Sequence, residues 1–375
     1  MSVKIRKTNT YITQDTEIIK KDFLVRFFDY DGTILKEQWV YSGETATAPT
    51  VPTHQYLTFS EWNNTFTNVT EDIDTGALYD TTDGKTYLFI TLTASMSGTT
   101  PTLYFKKFTT DLMTIDWGDG TTSTSTDNTS SGTNITHSYS SYGNYIITVD
   151  NPIGTYYFGD SSTNIQIFGT GVYRGCLTKV YLGNNVTITS SYFLNYTSLK
   201  NITIQNSTSL AGSSSSTFSG CNNLVAFVSP TNLLLRTSMF LNCVNLKYII
   251  FPPTFTSSTF IDSLAGCVNR EYTVMKNTTA TIGSGQFNTN YTVSKQIIPS
   301  MVTSIGNTAY QNNYSCCCYL CYPITPPTLV STTVFNNINS LAKIYVPDAV
   351  VNTYKTASGW IAYTDYIYPL STYVI

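Results

Sequence analysis

The chain has 375 residues, of which 11% are charged, and a net charge of −3 at neutral pH; ordinary soluble domains carry roughly 25% charged residues. That length supplies two or three domains with buried cores, while the weak acidic balance argues against nucleic acid or an anionic membrane as partner. No run approaches the roughly 20 apolar residues of a membrane span, which argues against membrane insertion. Thr, Ser, Asn and 29 Tyr stand where charges are missing, a composition suited to exposed β-structure kept in solution by hydroxyls and amides.

Residues 1–22 start basic, with Lys4, Arg6, Lys7, Lys20 and Lys21, and lack the apolar stretch of a secretory signal. They read as an N-terminal docking segment or as a solvated tail. The closing Ser371-Thr-Tyr-Val-Ile375 shows no sorting motif. Export and anchoring are thus both unaccounted for, which leads to the expectation of a protein made in the host cytoplasm and located in the virion, with the bacterial cell surface as the alternative. The Asn-x-Thr triplets at Asn68 and Asn277 then follow from composition rather than from glycosylation.

Residues 23–80 alternate apolar strands with Asp-Gly, Gly and Pro turns, as in Phe23-Leu-Val-Arg-Phe-Phe28, Gln38-Trp-Val-Tyr41 and Ala77-Leu-Tyr79; the pattern predicts a small β-rich module. The order of Trp62, Phe66 and Ile73 after Pro49 and Pro52 resembles the internalin-type B repeat, which implies a β-grasp-like spacer. The same stretch holds Asp29-Tyr-Asp31-Gly32-Thr33, which is similar to the nucleophile motif of haloacid-dehalogenase-like phosphatases. There the first Asp attacks phosphorus, the second is acid and base, and both hold magnesium. That chemistry needs a helix after the motif and a βαβ chain. Here Lys36-Glu-Gln-Trp-Val-Tyr41 is strand-like, so Asp31-Gly32 is expected to be a hairpin turn.

Residues 81–152 carry Trp117-Gly-Asp119-Gly, then His137-Ser-Tyr139, then Gly143-Asn-Tyr145-Ile-Ile-Thr-Val149. The three signatures in that order resemble the polycystic-kidney-disease (PKD) domain, which implies an immunoglobulin-like β-sandwich with Asp119 and His137 as structural polar groups. Thr121–Gly132 is expected to be a solvated hairpin loop.

Residues 153–375 repeat a phrase seven times, anchored at Phe193, Phe218, Phe240, Leu264, Phe287, Tyr310 and Phe335, 22 to 25 residues apart. A period of that size makes a solenoid, in which stacked neighbours build a core that no single repeat could bury. Counting from the anchor as zero, offsets 0, 3, 6, 9 and 11 are expected to face inward; the first repeat fills them with Phe193, Tyr196, Leu199, Ile202 and Ile204, the last with Phe335, Ile338, Leu341, Ile344 and Val346. Offsets 9 and 11 share one face of a β-strand, and Pro252, Pro299 and Pro347 end it. Leu199, Leu224, Leu246 and Leu341 are predicted to form one buried column. The phrase, with the ending Ala342-Lys-Ile-Tyr-Val-Pro347 and Tyr354 to Trp360, resembles the BspA-like leucine-rich repeats of bacterial and phage surface proteins and their C-terminal cap. Departures from the pattern are Arg270 at a Leu position, Gln296 at an Ile position, and Asn290 and Asn313 where Cys is usual.

Cys221, Cys243 and Cys267 fall at offset 3 of successive repeats, where a row of small buried hydrophobes is expected. In Cys316-Cys317-Cys318-Tyr-Leu-Cys321, Cys316 and Cys321 take inward offsets and Cys318 an outward one. Core packing, a disulfide and zinc are the readings in that order, since structural zinc usually draws ligand pairs from separated segments. The two histidines, His54 and His137, lie in different modules, and neither a phosphate-binding loop nor a zinc-protease helix is present. No catalytic residue, cofactor or metal ligand is assigned.

The chain is therefore expected to be mainly β and modular, non-enzymatic, and to serve adhesion or architecture. The setting expected is a bacteriophage virion component (tail or head fibre, or capsid decoration), with a bacterial cell-surface adhesin of the BspA-like repeat family as the alternative. The partners would be other virion proteins, its own subunits, or a host-surface glycan or protein. The candidate contact surface is the outward row of the repeat strands. It comprises Val228, Ile250, Val274, Ile297, Leu320 and Tyr345 at offset 10, after Thr203, beside Tyr248, Tyr272, Lys295 and Lys343 at offset 8. An exposed apolar stripe of that length would be an interaction site, with Tyr248 and Tyr272 as aromatic anchors.

Overall fold

Small sheets, each apolar on at least one face, are stacked here so that every such face finds a cover. In the computed structural model of the chain, the described residues are 22–70, 72–96, 98–107, 109–128, 132–158, 167–168, 172–188, 192–205, 209–210, 216–230, 237–251, 264–267, 281–289 and 293–373. The basic N-terminal residues Lys4 to Lys21 lie outside them, as do Pro252, Arg270, Tyr272, Val274, Asn277 and Asn290.

The first module is a four-stranded sheet of β1 (Asp22–Phe28), β2 (Ile34–Tyr41), β3 (Leu57–Trp62) and β4 (Ile73–Thr81) in the order β2-β1-β4-β3. β1 and β4 are parallel in its centre, and the two outer pairs are antiparallel. Asp29 to Thr33 is the hairpin turn between β1 and β2: the Asp29 and Gly32 amides donate to the carbonyls of Thr33 and Asp29, and Asp31 Oδ1 accepts from the Thr33 amide at 2.9 Å. Gly32 sits at φ 90°, a conformation open to glycine. A strand follows the motif where a phosphatase would place a helix. One face of the sheet buries Phe23, Val25 and Phe27 against Val40, Ala46, Val69 and Ile73.

β5 (Thr86–Leu92), β6 (Thr102–Lys107), β7 (Met113–Asp116), β8 (Thr122–Ser125), β9 (Thr133–Thr136), β10 (Gly143–Asp150) and β11 (Tyr156–Phe158) form two sheets. One runs β5-β10-β7-β8, the other β11-β6-β9. Trp117 is fully buried; its Nε1–H donates to Ser123 Oγ at 2.9 Å, and its carbonyl accepts from Tyr139 Oη at 2.9 Å. His137 stacks on the indole at 4.7 Å and holds Asp119 Oδ2 at 2.7 Å, so both polar groups are structural members of this end. The expectation of a loop over Thr121–Gly132 needs correction. Thr122–Ser125 pairs with β7 in register from Met113↔Ser125 to Asp116↔Thr122, because a Thr/Ser run suits an edge strand.

No break marks the passage at 152/153. β11 pairs with β6 of the sandwich. β12 (Leu177–Tyr181) is antiparallel to β5, and β14 (Asn201–Thr203) is parallel to β12. One sheet thus runs from the sandwich into the first coils, and one apolar core runs from Leu88 to Ile367.

The coils continue the strand row with β16 (Ala226–Val228), β17 (Tyr248–Ile250), β19 (Lys295–Ile298), β21 (Cys318–Cys321) and β23 (Lys343–Val346), parallel wherever described neighbours pair. Pro299 and Pro347 follow the last residues of β19 and β23. A second row of two-residue strands, not foreseen, lies on another side: β13 (Thr187–Ile188) with β15 (Ser209–Leu210), then β18 (Thr281–Ile282), β20 (Ser304–Ile305) and β22 (Thr328–Leu329). The anchors stack ring on ring, Phe193 on Phe218 and Phe218 on Phe240 at 5.4 Å each, Tyr310 on Phe335 at 5.3 Å. Two residues after each anchor, Asn195, Gly220, Asn242, Gly266, Thr289, Asn312 and Asn337 all have φ between 55° and 74°. The turn needs the left-handed conformation there, which explains Asn and Gly in the phrase.

Leu199, Leu224 and Leu246 form the expected buried column, but Leu341 is 79% exposed. The last coil carries one more residue in its turn. The hydrogen bond that the Leu246 amide donates to the Cys243 carbonyl is donated there by the Ala342 amide to the Asn339 carbonyl, so Ala342 turns inward and Leu341 outward, and the strand regains register at Ile344. Gln296 and Asn313 stay buried despite their polarity. Beyond β23, the helix α1 (Val351–Thr356), a 3-10 turn (Trp360–Tyr366) and β24 (Ile367–Pro369), parallel to β23, close the stack. Trp360 is fully buried beside Phe335, its Nε1–H donating to the Pro327 carbonyl at 2.7 Å.

Candidate contact surface

The outward row of strand residues is where the sequence places a binding stripe, so its surroundings decide that reading. At its N-terminal half the first module lies across it. β1 and β4 each have two apolar faces. Phe27 serves the module's own core, whereas its neighbour Phe28 turns the other way with Leu78 and meets Val228 and Ile250; all four are buried. Tyr248, half-buried, packs on Phe28 at 5.0 Å. Each of those four apolar side chains gains about 1.5–3 kcal/mol from burial.

The approach is close because glycine allows it. A Cβ on Gly76 would lie 2.5 Å from Val228 Cγ1, and one on Gly32 would lie 2.7 Å from Ala226 Cβ. Asn63, fully buried, closes the polar edge: its Nδ2 donates to the carbonyls of Ser229 and Ile250, 3.0 Å each, and its Oδ1 accepts from the Gly76 amide at 2.8 Å. Gln205 Nε2 donates to Thr81 Oγ1 at 3.2 Å, and the Tyr30 and Tyr181 hydroxyls meet at 2.9 Å. A small cavity lined by Tyr30, Tyr79, Ile202, Thr203 and Val228 remains between the two bodies.

At its C-terminal half the row is covered by the chain's own end. Leu320, Tyr345 and Cys318 are buried together with half-buried Ile297 under Tyr322, Tyr368, Leu370 and Tyr373. Lys343, exposed, places Nζ 4.9 Å above the Tyr368 ring, and Lys295 is half-buried. The binding stripe is therefore corrected: Val228, Tyr248, Ile250, Leu320 and Tyr345 are internal contacts, and Tyr272 and Val274 lie outside the described residues. The physical reason is the one that made the row suspicious, since an apolar stripe of this length is stable only when covered. Cys318, which does point out of its coil, is buried by the same cover.

Phe28, Leu78, Asn63 and Gly76 are the residues that sequence reasoning missed. Their signal was present in Phe27-Phe28 and Ala77-Leu78-Tyr79: a lone small sheet apolar on both faces must be covered twice.

The Asp29 carboxylate is engaged on both oxygens. Oδ1 accepts from Tyr79 Oη at 2.9 Å and the Tyr30 amide at 2.8 Å, and Oδ2 lies 2.8 Å from His54 Nε2. Burial first, and the Asp29 charge with it, drives the Tyr79 hydroxyl far above the ordinary phenol range; burial and Tyr181 do the same to Tyr30. This is a structural network at the joint of the modules, with Asp29 only 2% exposed.

The cysteine row is buried as expected, and it also bonds. Cys221, Cys243 and Cys267 each donate a thiol proton to the carbonyl of the preceding anchor, Phe193, Phe218 and Phe240, at 3.0, 2.9 and 3.0 Å. Burial pushes Cys221 and Cys243 well above the usual thiol range and Cys176, Cys316 and Cys321 up to about 12. All eight cysteines are free thiols. Among the described residues no group of His, Cys, Asp and Glu is arranged to hold a metal.

A profile of the BspA type leucine-rich repeat region matches the chain in six copies over residues 159–264 and 257–358, just over half of the sequence. No curated protein matches the chain significantly.

Proposed function

Because the chain belongs to the BspA-type leucine-rich repeat family, we propose that it is a non-enzymatic structural and adhesion protein, and within that class a bacteriophage virion component: a tail or head fibre, or a capsid decoration. The observation that carries the architectural role is the unbroken core from the sandwich through the coils to the cap, with both strand-face halves covered from within. Such a body transmits position along its length. The strand order β2-β1-β4-β3 with a parallel central pair supports the β-grasp-like reading of the first module. Trp117, His137 and Tyr139 packed at one sandwich end support the PKD-like reading of the second.

The virion setting draws support from the thiol ladder. Its S–H donors work only when reduced, which suits a protein folded in cytoplasm, where disulfides are rare. With the strand face occupied, recognition of a virion partner or a host-surface glycan or protein falls to the turns. Asn195, Asn242 and Asn337 are exposed there at equivalent positions, and Asn337 Nδ2 donates to Asn312 Oδ1 at 3.0 Å, presenting uncharged amides.

Immuno-electron microscopy of phage particles and intact cells from the source, with antibody to the purified chain, tests this. Labelled particles are expected. Label on cell envelopes with bare particles would replace the virion reading with the surface adhesin.

A further inference from the structure

The sandwich ends in two edge strands that lie over one another. Asp127, beyond β8, accepts from Thr133 Oγ1 at the start of β9 at 3.1 Å, and Asp119, ahead of β8, meets His137 just after β9 at 2.7 Å. Ser123 in β8 and Ile135 in β9 are midway between these ties. β8 is the last strand of its sheet and β9 the last of the other. The phase of the ladders fixes which backbone groups face outward, because antiparallel neighbours alternate between bonded and non-bonded pairs. The Trp117 amide donates to the Thr121 carbonyl and the His137 amide to the Pro101 carbonyl, so Ser123 and Ser125 bond to β7, and Thr133 and Ile135 to β6. The backbone groups of Thr122, Thr124, Asn134 and Thr136 therefore point away from the sandwich. All four residues are exposed, and among the described residues no backbone group bonds to theirs from the far side.

Such edges are templates for another chain unless charge, proline, a bulge or a covering segment blocks them. The molecule uses those devices elsewhere. β2 is bordered by Glu44 and Thr47, which bond to the Tyr41 amide and the Gln38 side chain. β3 has a register shift between Phe59 and Glu61, and β24 ends in Pro369. Among the described residues β8 and β9 show none of these. Their pairings run without a register shift, and between Thr121 and Thr136 the single charge is Asp127, with no proline.

We propose that this side of the sandwich pairs with the same side of a second copy of the chain, edge to edge about a two-fold axis. The register follows from the outward groups. Asn134 pairs with Thr136 of the second copy, and Thr136 with Asn134 of the second copy, each pair exchanging two backbone hydrogen bonds. Thr122 and Thr124 do the same in the other sheet. Those registers put Ile135 and Ser123 on the axis, and these two residues already lie opposite one another, so one axis serves both sheets. An antiparallel pair of identical strands closes on itself, which gives a dimer and not an open row of copies. At the axis the two Ile135 side chains, half-buried against the core, meet at a non-bonded position, where cross-strand side chains are closest. On the other face Asn134 and Thr136 bring amide against hydroxyl, with no charge to desolvate. The inference is independent of the virion and cell-surface settings.

Sedimentation equilibrium of the full chain up to about 100 µM covers the affinity expected of so short a pairing. The parent is expected to dimerise. Asn134→Lys with Thr136→Lys puts like charges into both bonded pairs of β9 and should weaken the dimer at least about tenfold. Asn134→Glu with Thr136→Glu should do the same. Both positions are exposed, so Trp117 fluorescence and Tm should stay as in the parent. Mixing the two variants should restore a dimer, because each Lys then faces a Glu. Thr122→Lys with Thr124→Lys gives an independent reading from the other edge should a β9 variant fail to fold. A parent that stays monomeric, a dimer that no double variant weakens, or weakened Lys and Glu variants that do not associate on mixing would each overturn the proposal. A strand supplied by a different protein would leave the parent monomeric and so counts against a second copy.

Discussion

Single residues fix how close the bodies of this molecule come. Gly76 has no side chain because Val228 occupies its place. Gly76→Val is expected to lose about 1–3 kcal/mol by overpacking, measured as a lower urea midpoint, and Val228→Ala in the same chain should recover part of the loss. Asn63→Ala strips hydrogen bonds from two carbonyls of adjacent coils and should cost about 1–3 kcal/mol. Of these contacts the sequence exposes little. It gives the Asp-Gly turn and the two-faced strands, but Asn63 meets Ser229 and Ile250 across more than 160 positions, and nothing local to Asn63 announces a partner so distant.

Within the repeating element, register is the legible quantity. Phe193 to Phe335 stack as their spacing implies, because coils that sit about 4.8 Å apart bring equivalent side chains into contact. Leu341 shows where counting fails: an added turn residue shifts the inward position by one before the strand restores it. The contrast yields a direct check. Leu246→Ala should cost about 2–5 kcal/mol, and Leu341→Ala less than about 0.5 kcal/mol, read from chemical denaturation. The thiol row adds a pH dependence. Folded Cys176, Cys316 and Cys321 hold their protons to about 12, whereas an unfolded thiol ionises near 8.5. Their contribution is thus complete below about pH 8.5 and falls as pH rises toward 12, by about 1.4 kcal/mol per pH unit for each thiol. Tm should drop between pH 8 and 10, and Cys321→Ala should make the drop shallower; a flat profile would contradict the burial of these thiols.

At the scale of the whole molecule, the sequence displays three modules in order but not their union. Continuity of the sheet through β5, β12 and β14, and the cover of the strand row, arise from contacts between segments whose own patterns are complete without one another. The same union removes the binding stripe that the pattern suggests. It also leaves Asp29 in a joint rather than in a reaction site: magnesium-dependent hydrolysis of a phosphate ester is expected to be undetectable, and activity that disappears in Asp29→Asn would contradict the reading of that motif as a turn.

The strand face is an internal interface, and hydrogen-exchange mass spectrometry on the parent chain and Gly76→Val tests this most directly. If the first module covers the coils, the substitution in β4 should raise exchange together in peptides spanning Ile73–Thr81 and in those spanning Ala226–Phe251. Faster exchange confined to the first module, with Ala226–Phe251 unchanged, would mean that the first module does not cover this face.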